Sequence, residues 1–125
     1  MKNYDSNRHV RGESLFIDDL CLPSSSLYGA VFFSPIAHGK ILNINFDEAK
    51  TSEGVVAILT YKDIPGENQI GGIIQDESLL AVDHVQFVGE PIAFVVAKTQ
   101  ANARAAVKKI KAEFESLEVI TDPRE

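Results

Sequence analysis

Apolar runs alternate with turn residues along most of this chain. Leu27 to Phe33 (LYGAVFF) is aromatic and β-branched and predicts a buried strand. Gly29 within it points to a bulge or a close backbone approach. Ser34-Pro35 ends the run, because proline has no N–H for a ladder. After a turn at His38-Gly39-Lys40, Ile41 to Phe46 alternates, with Leu42, Ile44 and Phe46 on one face; that is the pattern of a half-buried strand. Asp47 caps a predicted short helix over about 47–52 that stops at Gly54. Val55 to Leu59 predicts another buried strand, and Thr60 to Asp63 a capped helical turn before Pro65.

His84 to Val88 reads as a short strand and Gly89-Glu90-Pro91 as a turn. Ile92 to Ala97 (IAFVVA) is the most apolar run, so it is expected at the centre of a sheet, buried on both faces. Thr99 suits an N-cap. The principal helix follows over about 99–111, with Ala103, Ala106, Val107 and Ile110 spaced as one stripe. Lysines gather at its C-terminal end, where the helix dipole favours cations. Ala112 to Phe114 predicts a last strand. The expected class is α+β, a mixed sheet with one main C-terminal helix.

Three stretches fall outside this rhythm. Residues 1–11 are polar and read as a flexible leader, leaving residues 12–125 as a single domain. Pro65 to Asp83 is rich in glycine yet holds the apolar pairs Ile73-Ile74 and Leu79-Leu80. Structureless loops of that length are uncommon in small domains and are usually functional or bound to something. Asp122-Pro123-Arg124-Glu125 spells the start of a helix, so the chain is expected to be a fragment of a longer protein; the plainer alternative is a polar terminus.

Composition narrows the classes. The chain has 125 residues, 45% hydrophobic and 24% charged, which is ordinary soluble usage and excludes a disordered chain. No apolar run approaches the ~20 residues of a membrane span. Net charge is −6, and only Lys108, Lys109 and Lys111 cluster, so nucleic acid is not an expected partner. The single cysteine, Cys21, allows no internal disulfide and no cysteine-based metal site. The leader lacks the apolar core of a secretory signal, so a cytoplasmic location is expected.

Candidate chemistry is sparse. Asp18-Asp19 are neighbours, but adjacent residues of a strand face opposite ways, which favours a turn role over a shared cation. His9, His38 and His84 have no metal-ligand spacing. Asp83-His84 could form an oriented base, yet no nucleophile is visibly paired with it, and hydrogen-bonded turn histidines are the alternative. Gly71-Gly72 follows no strong strand and opens no helix, so it reads poorly as a phosphate loop. No catalytic, cofactor-binding or metal-ligating residue is assigned.

In order along the chain stand GESLFIDD at 12–19, SPIAHGKI at 34–41, GVVAILTYKDIPG at 54–66, Asn68 to Gly72 with Asp76-Glu77, FVGEPIAFVVA at 87–97 and AEFESL at 112–117. This order of segments resembles the N-terminal domain of the molybdopterin-binding large subunit in the xanthine dehydrogenase and aldehyde oxidase family, nearest its xanthine dehydrogenase branch. Phe16 and Ile17 depart from the tyrosine and small polar residue common there, so no polar contact is given to that segment. The resemblance implies an α/β-hammerhead fold. It also implies a parent that hydroxylates a purine or aldehyde carbon with oxygen from water. Electrons would leave a molybdenum cofactor for [2Fe–2S] clusters and FAD, all held by other domains or subunits.

On that resemblance, this domain is expected to be non-catalytic and to pack against the iron–sulfur and molybdenum-binding parts. The expected interface is Ile73, Ile74, Leu79 and Leu80 of the long loop, helped by Ser34, His38 and Gly39 and by Gly89, Glu90 and Pro91. The loop's apolar pairs folding onto the domain's own core is the competing expectation. A stand-alone binding module of the same fold, or a small hydrolase or isomerase using Asp83 and His84, are the alternatives for function.

Overall fold

The computed structural model describes residues 5–122 and Arg124. Its strands are β1 (Tyr28–Phe33), β2 (Gly39–Asn45), β3 (Val55–Leu59), β4 (His84–Val85), β5 (Pro91–Ala97) and β6 (Lys111–Ser116). Its helices are α1 (Ser6–Arg11), α2 (Asp47–Lys50) and α3 (Gln100–Val107). The α+β class holds, but a single mixed sheet does not form. Every strand pairing is antiparallel, and the strands divide into two three-stranded sheets ordered β1-β5-β3 and β4-β2-β6.

β5 is central, as its composition requires, but it is not buried on both faces: Phe94 stays 36% exposed, because no helix or second sheet covers that side fully. Ile92, Ala93, Val95 and Ala97 are buried, and β1 and β3 take up the backbone groups on its two edges. α3 packs across β1 and β5 through Ala103 and Ala106, whose short side chains let the helix approach the sheet closely. The Thr99 hydroxyl accepts the Asn102 amide proton as the expected N-cap. The helix stops at Val107 rather than near residue 111. Ile110 is needed in the core, and Lys111 is already paired with Asn45 in the second sheet.

Two cores form. One gathers Ala49, Val95, Ala106 and Ile110; the other gathers Ala81, Val85 and Ile92. Phe32 and Ile44 pack against both and so join the sheets. The expected face of Leu42, Ile44 and Phe46 is broken by a bulge between Ile41 and Asn43, which turns Leu42 outward and puts Ile41 beside Ile44 on the inner side. A similar irregularity between Val55 and Ala57 exposes Val56, so β3 is half-buried, as is β1. At Gly29 the Phe94 ring from the neighbouring strand fills the place of a side chain, the close approach its sequence position suggested.

Other boundaries shift by a few residues. α2 covers Asp47–Lys50, and Asp47 is its first residue; the Asn45 side chain accepts the Asp47 amide proton instead. The strand expected over 84–88 is only His84–Val85. The polar leader contains the exposed six-residue helix α1. Thr60 donates to the Asp63 carboxylate from both its amide and its hydroxyl, closing the turn at Tyr61–Asp63. Those two bonds, the backbone one foremost, hold the Asp63 carboxyl below the usual range. At the C-terminal tail the Asp122 carboxylate accepts the Arg124 amide proton; Pro123 and Glu125, on which the expected helix start also depends, lie outside the described residues.

Gly39 is buried where β2 begins between β4 and β6. A methyl group there would lie 2.4 Å from the Ile36 side chain and 2.6 Å from the Glu115 carbonyl oxygen. Gly39→Ala is therefore expected to lower stability by about 1–3 kcal/mol in urea unfolding. Gly66→Ala, with open space around the site, should be neutral or stabilising by up to about 1 kcal/mol. Equal effects at both positions would contradict this packing.

Candidate functional site

The residues expected at an interface divide by depth. Ile73 is 99% exposed and Ile74 69%, and Leu79 is also open to solvent. His38, Gly89 and Pro91 are half-buried. Ser34, Gly39, Leu80 and Glu90 are turned inward, with Leu80 only 9% exposed. The tip of the long loop thus projects, while its base joins the body of the domain.

The inward residues knit two turns. The Ser34 amide donates to the Glu90 carbonyl at 2.8 Å and the Gly89 amide to the Ser34 carbonyl at 2.9 Å. The Ser34 hydroxyl donates to the Ile36 carbonyl at 2.8 Å, closing the serine turn. Glu90 is 7% exposed, and its carboxylate accepts the Gln86 amide proton. It therefore serves as an internal cap of the Gln86–Pro91 turn. His38 donates from Nδ1 to the Glu118 carbonyl at 2.7 Å, pinning the segment after β6.

Asp83 and His84 do meet, at 3.0 Å between Oδ1 and Nδ1. The hydrogen bond from His84 is the main reason that the Asp83 carboxyl lies below the ordinary aspartate range. Both line an open cavity of about 370 Å³ with Asp76, Glu77, Gln86 and Glu90. A second recess of about 400 Å³ is almost wholly apolar and runs between Val31, Leu59, Pro65, Leu79 and Phe94. His9 bonds the Ser14 hydroxyl at the surface. Cys21 is exposed, and the Asp19 carboxylate accepts the Phe16 amide proton in a short turn. Among the described residues no group of three or more His, Cys, Asp or Glu side chains could hold a metal ion. No helix among them is long and apolar enough to cross a membrane.

Asn68 has a place in the family likeness, but nothing in the sequence signals its structural partner. Its side-chain amide donates to the Leu80 carbonyl at 2.7 Å and accepts the Leu80 amide proton at 2.9 Å. The partner is 12 residues away across a segment without periodicity, so no local pattern announces the pairing.

Residues 11–118 match the family profile described as aldehyde oxidase and xanthine dehydrogenase, a/b hammerhead domain, and the chain belongs to that family. It is 41% identical to xanthine dehydrogenase 1 of Arabidopsis thaliana over 116 residues, 93% of this chain and 8% of that protein. It is 43% identical to aldehyde oxidase 4 of Cavia porcellus over 111 residues, 89% of this chain and 8% of that one. The aldehyde oxidoreductase of Desulfovibrio desulfuricans superposes with a TM-score of 0.85 at 31% identity, over 92% of this chain and 14% of the larger one. The chain thus spans a small fraction of these relatives, and both named branches stand at similar identity.

The residues described do not fit the redox groups that the family implies. Iron–sulfur clusters need several thiolates, and Cys21 is alone. A phosphate-bearing pterin or flavin would meet carboxylates in the polar cavity, and in the apolar one an almost wholly apolar lining whose one charged side chain, Asp63, is also a carboxylate.

Removing the Glu90 cap leaves the Gln86 N–H without its partner, so Glu90→Ala should cost about 1–3 kcal/mol by chemical denaturation; an unchanged midpoint would contradict the cap. The depressed Asp83 carboxyl adds a small, exposed contribution to stability that is present above the unfolded value and lost as pH falls through the folded one. Carboxyl titration by NMR should place Asp83 below the ordinary aspartate range, and His84→Ala should raise it. A midpoint indifferent to that change would refute the pairing.

Proposed function

We propose that this chain is the hammerhead part of the large subunit of a xanthine dehydrogenase-like molybdenum hydroxylase and that its work there is positional. The observation that carries the reading is the family match over residues 11–118, in a chain whose 116 aligned residues amount to 8% of the Arabidopsis relative. A segment of that kind contributes shape to an enzyme whose redox centres lie elsewhere. In this reading residues 12–125 act as one unit after a short leader. Molybdopterin, [2Fe–2S] clusters and FAD are held by the remaining domains or by partner subunits, and the enzyme works in the cytoplasm on a purine or an aldehyde.

The outward residues Ile73, Ile74, Leu79, His38, Gly89 and Pro91 face the iron–sulfur and molybdenum-binding parts. Ser34, Gly39, Leu80 and Glu90 act from beneath, fixing the turns that present them. The net charge of −6 opposes binding to nucleic acid or anionic lipid. Large apolar side chains left open to water, among them Leu15, Phe16 and Ile17, support a role inside an assembly.

Native purification from source cells with metal analysis tests this. The polypeptide carrying these residues should co-purify with molybdenum and iron and oxidise a purine or an aldehyde. A free 13.7 kDa species carrying neither metal would overturn the reading and favour a stand-alone module.

A further inference from the structure

The long loop is tied twice at its neck. The Asn68 amide and the Leu80 backbone exchange two hydrogen bonds, imitating one rung of an antiparallel ladder. One step outward, the Ile70 amide donates to the Glu77 carbonyl at 2.9 Å. At Gly71 an added methyl group would lie 2.0 Å from the Ile74 carbonyl oxygen, so the chain can double back only because a glycine stands there. The base is anchored as well, by the Ala81 amide donating to the Pro91 carbonyl at 2.8 Å. Ile73 and Ile74 are thereby held out at the tip of a closed excursion.

The charged side chains of the loop itself are all of one sign. From Ile64 to Asp83 there are Glu67, Asp76, Glu77 and Asp83, and no Lys, Arg or His. Among the described residues, Glu67, Asp76 and Glu77 form no salt bridge. A second copy of the loop, a nucleic acid or an anionic lipid surface would meet like charge. A surface of opposite charge with an apolar centre would be complementary.

We infer that the loop is a pre-ordered plug. Ile73 and Ile74 enter an apolar socket on a neighbouring part of the molybdenum hydroxylase, and Lys and Arg side chains around its mouth face Glu67, Asp76 and Glu77. This rests on the reading above that the chain works inside such an enzyme. The many residues that the relatives possess beyond this segment supply the surface. The ties at Asn68 and Ile70 order the loop before docking, so less conformational freedom is lost when it seats. Asn68 is a positioning residue.

The complete enzyme is the test object. With p-benzoylphenylalanine in place of Ile73, illumination should cross-link the tip to a peptide outside residues 1–125 that has Lys or Arg close by. Amide exchange over residues 70–75 should be slow in the assembled enzyme and speed up roughly tenfold or more in Ile73→Asp/Ile74→Asp. Asp76→Lys/Glu77→Lys should speed it up too, and Asn68→Ala should loosen residues 69–78 while exchange in α3 stays unchanged. Cross-links confined to residues 1–125, to a second copy, or to lipid or nucleic acid would overturn the plug, as would fast exchange at the tip of the assembled enzyme. If the segment co-purifies with molybdenum and iron while Ile73 finds no such socket, the plug fails and the domain assignment stands.

Discussion

A strand with a neighbour on each edge must have all its backbone donors and acceptors taken up, and β5, buried along one face and half-open at Phe94 on the other, sets that demand here. β1 and β3 meet it on either edge, both antiparallel. α3 covers one face, and the run of alanines at Ala93, Ala97, Ala103 and Ala106 allows helix and sheet to lie close. The second sheet is then held by few residues. Phe32 from the first sheet and Ile44 from the second reach both cores. The largest fully buried side chains are only Ile92, Val85 and Val95, so this is a thin core for a chain of its length.

A thin core makes the polar ties consequential. The Ser34 and Glu90 turns exchange backbone hydrogen bonds, the Glu90 carboxylate caps Gln86, and Asn68 imitates a strand partner for Leu80. Each supplies a partner to a backbone group that an irregular segment would otherwise leave unpaired, where burial without one costs about 1–3 kcal/mol. The turns between sheets are therefore shaped as definitely as the sheets themselves.

The apolar surface that the core does not use is what the proposed positional role draws on. Ile73 and Ile74 at the loop tip, the Leu15–Ile17 stretch and the recess beside Phe94 all face water in the described residues. Single exposed apolar side chains are ordinary, but contiguous ones mark contact surfaces. A small, well-tied unit with apolar outer faces suits a part that fixes distances between other parts.

Short-range information in the sequence determined much of this protein. The alternation and β-branched runs announced most of the strands, Thr99 and Thr60 announced their caps, and the order of segments from GESLFIDD to AEFESL carried the family. These depend on neighbours within a few residues, where periodicity and capping act. Only tertiary structure decided the rest: the division into two antiparallel sheets, the bulge that turned Leu42 outward, the early end of α3, and which loop residues faced in. Leu80 and Ile73 are both aliphatic residues of one glycine-rich stretch, and nothing local separates them. Asn68 and Pro91 capture one end of the loop, while Gly71 folds the other back on itself. Burial is settled by contacts between residues far apart in the chain, and a linear pattern does not contain them.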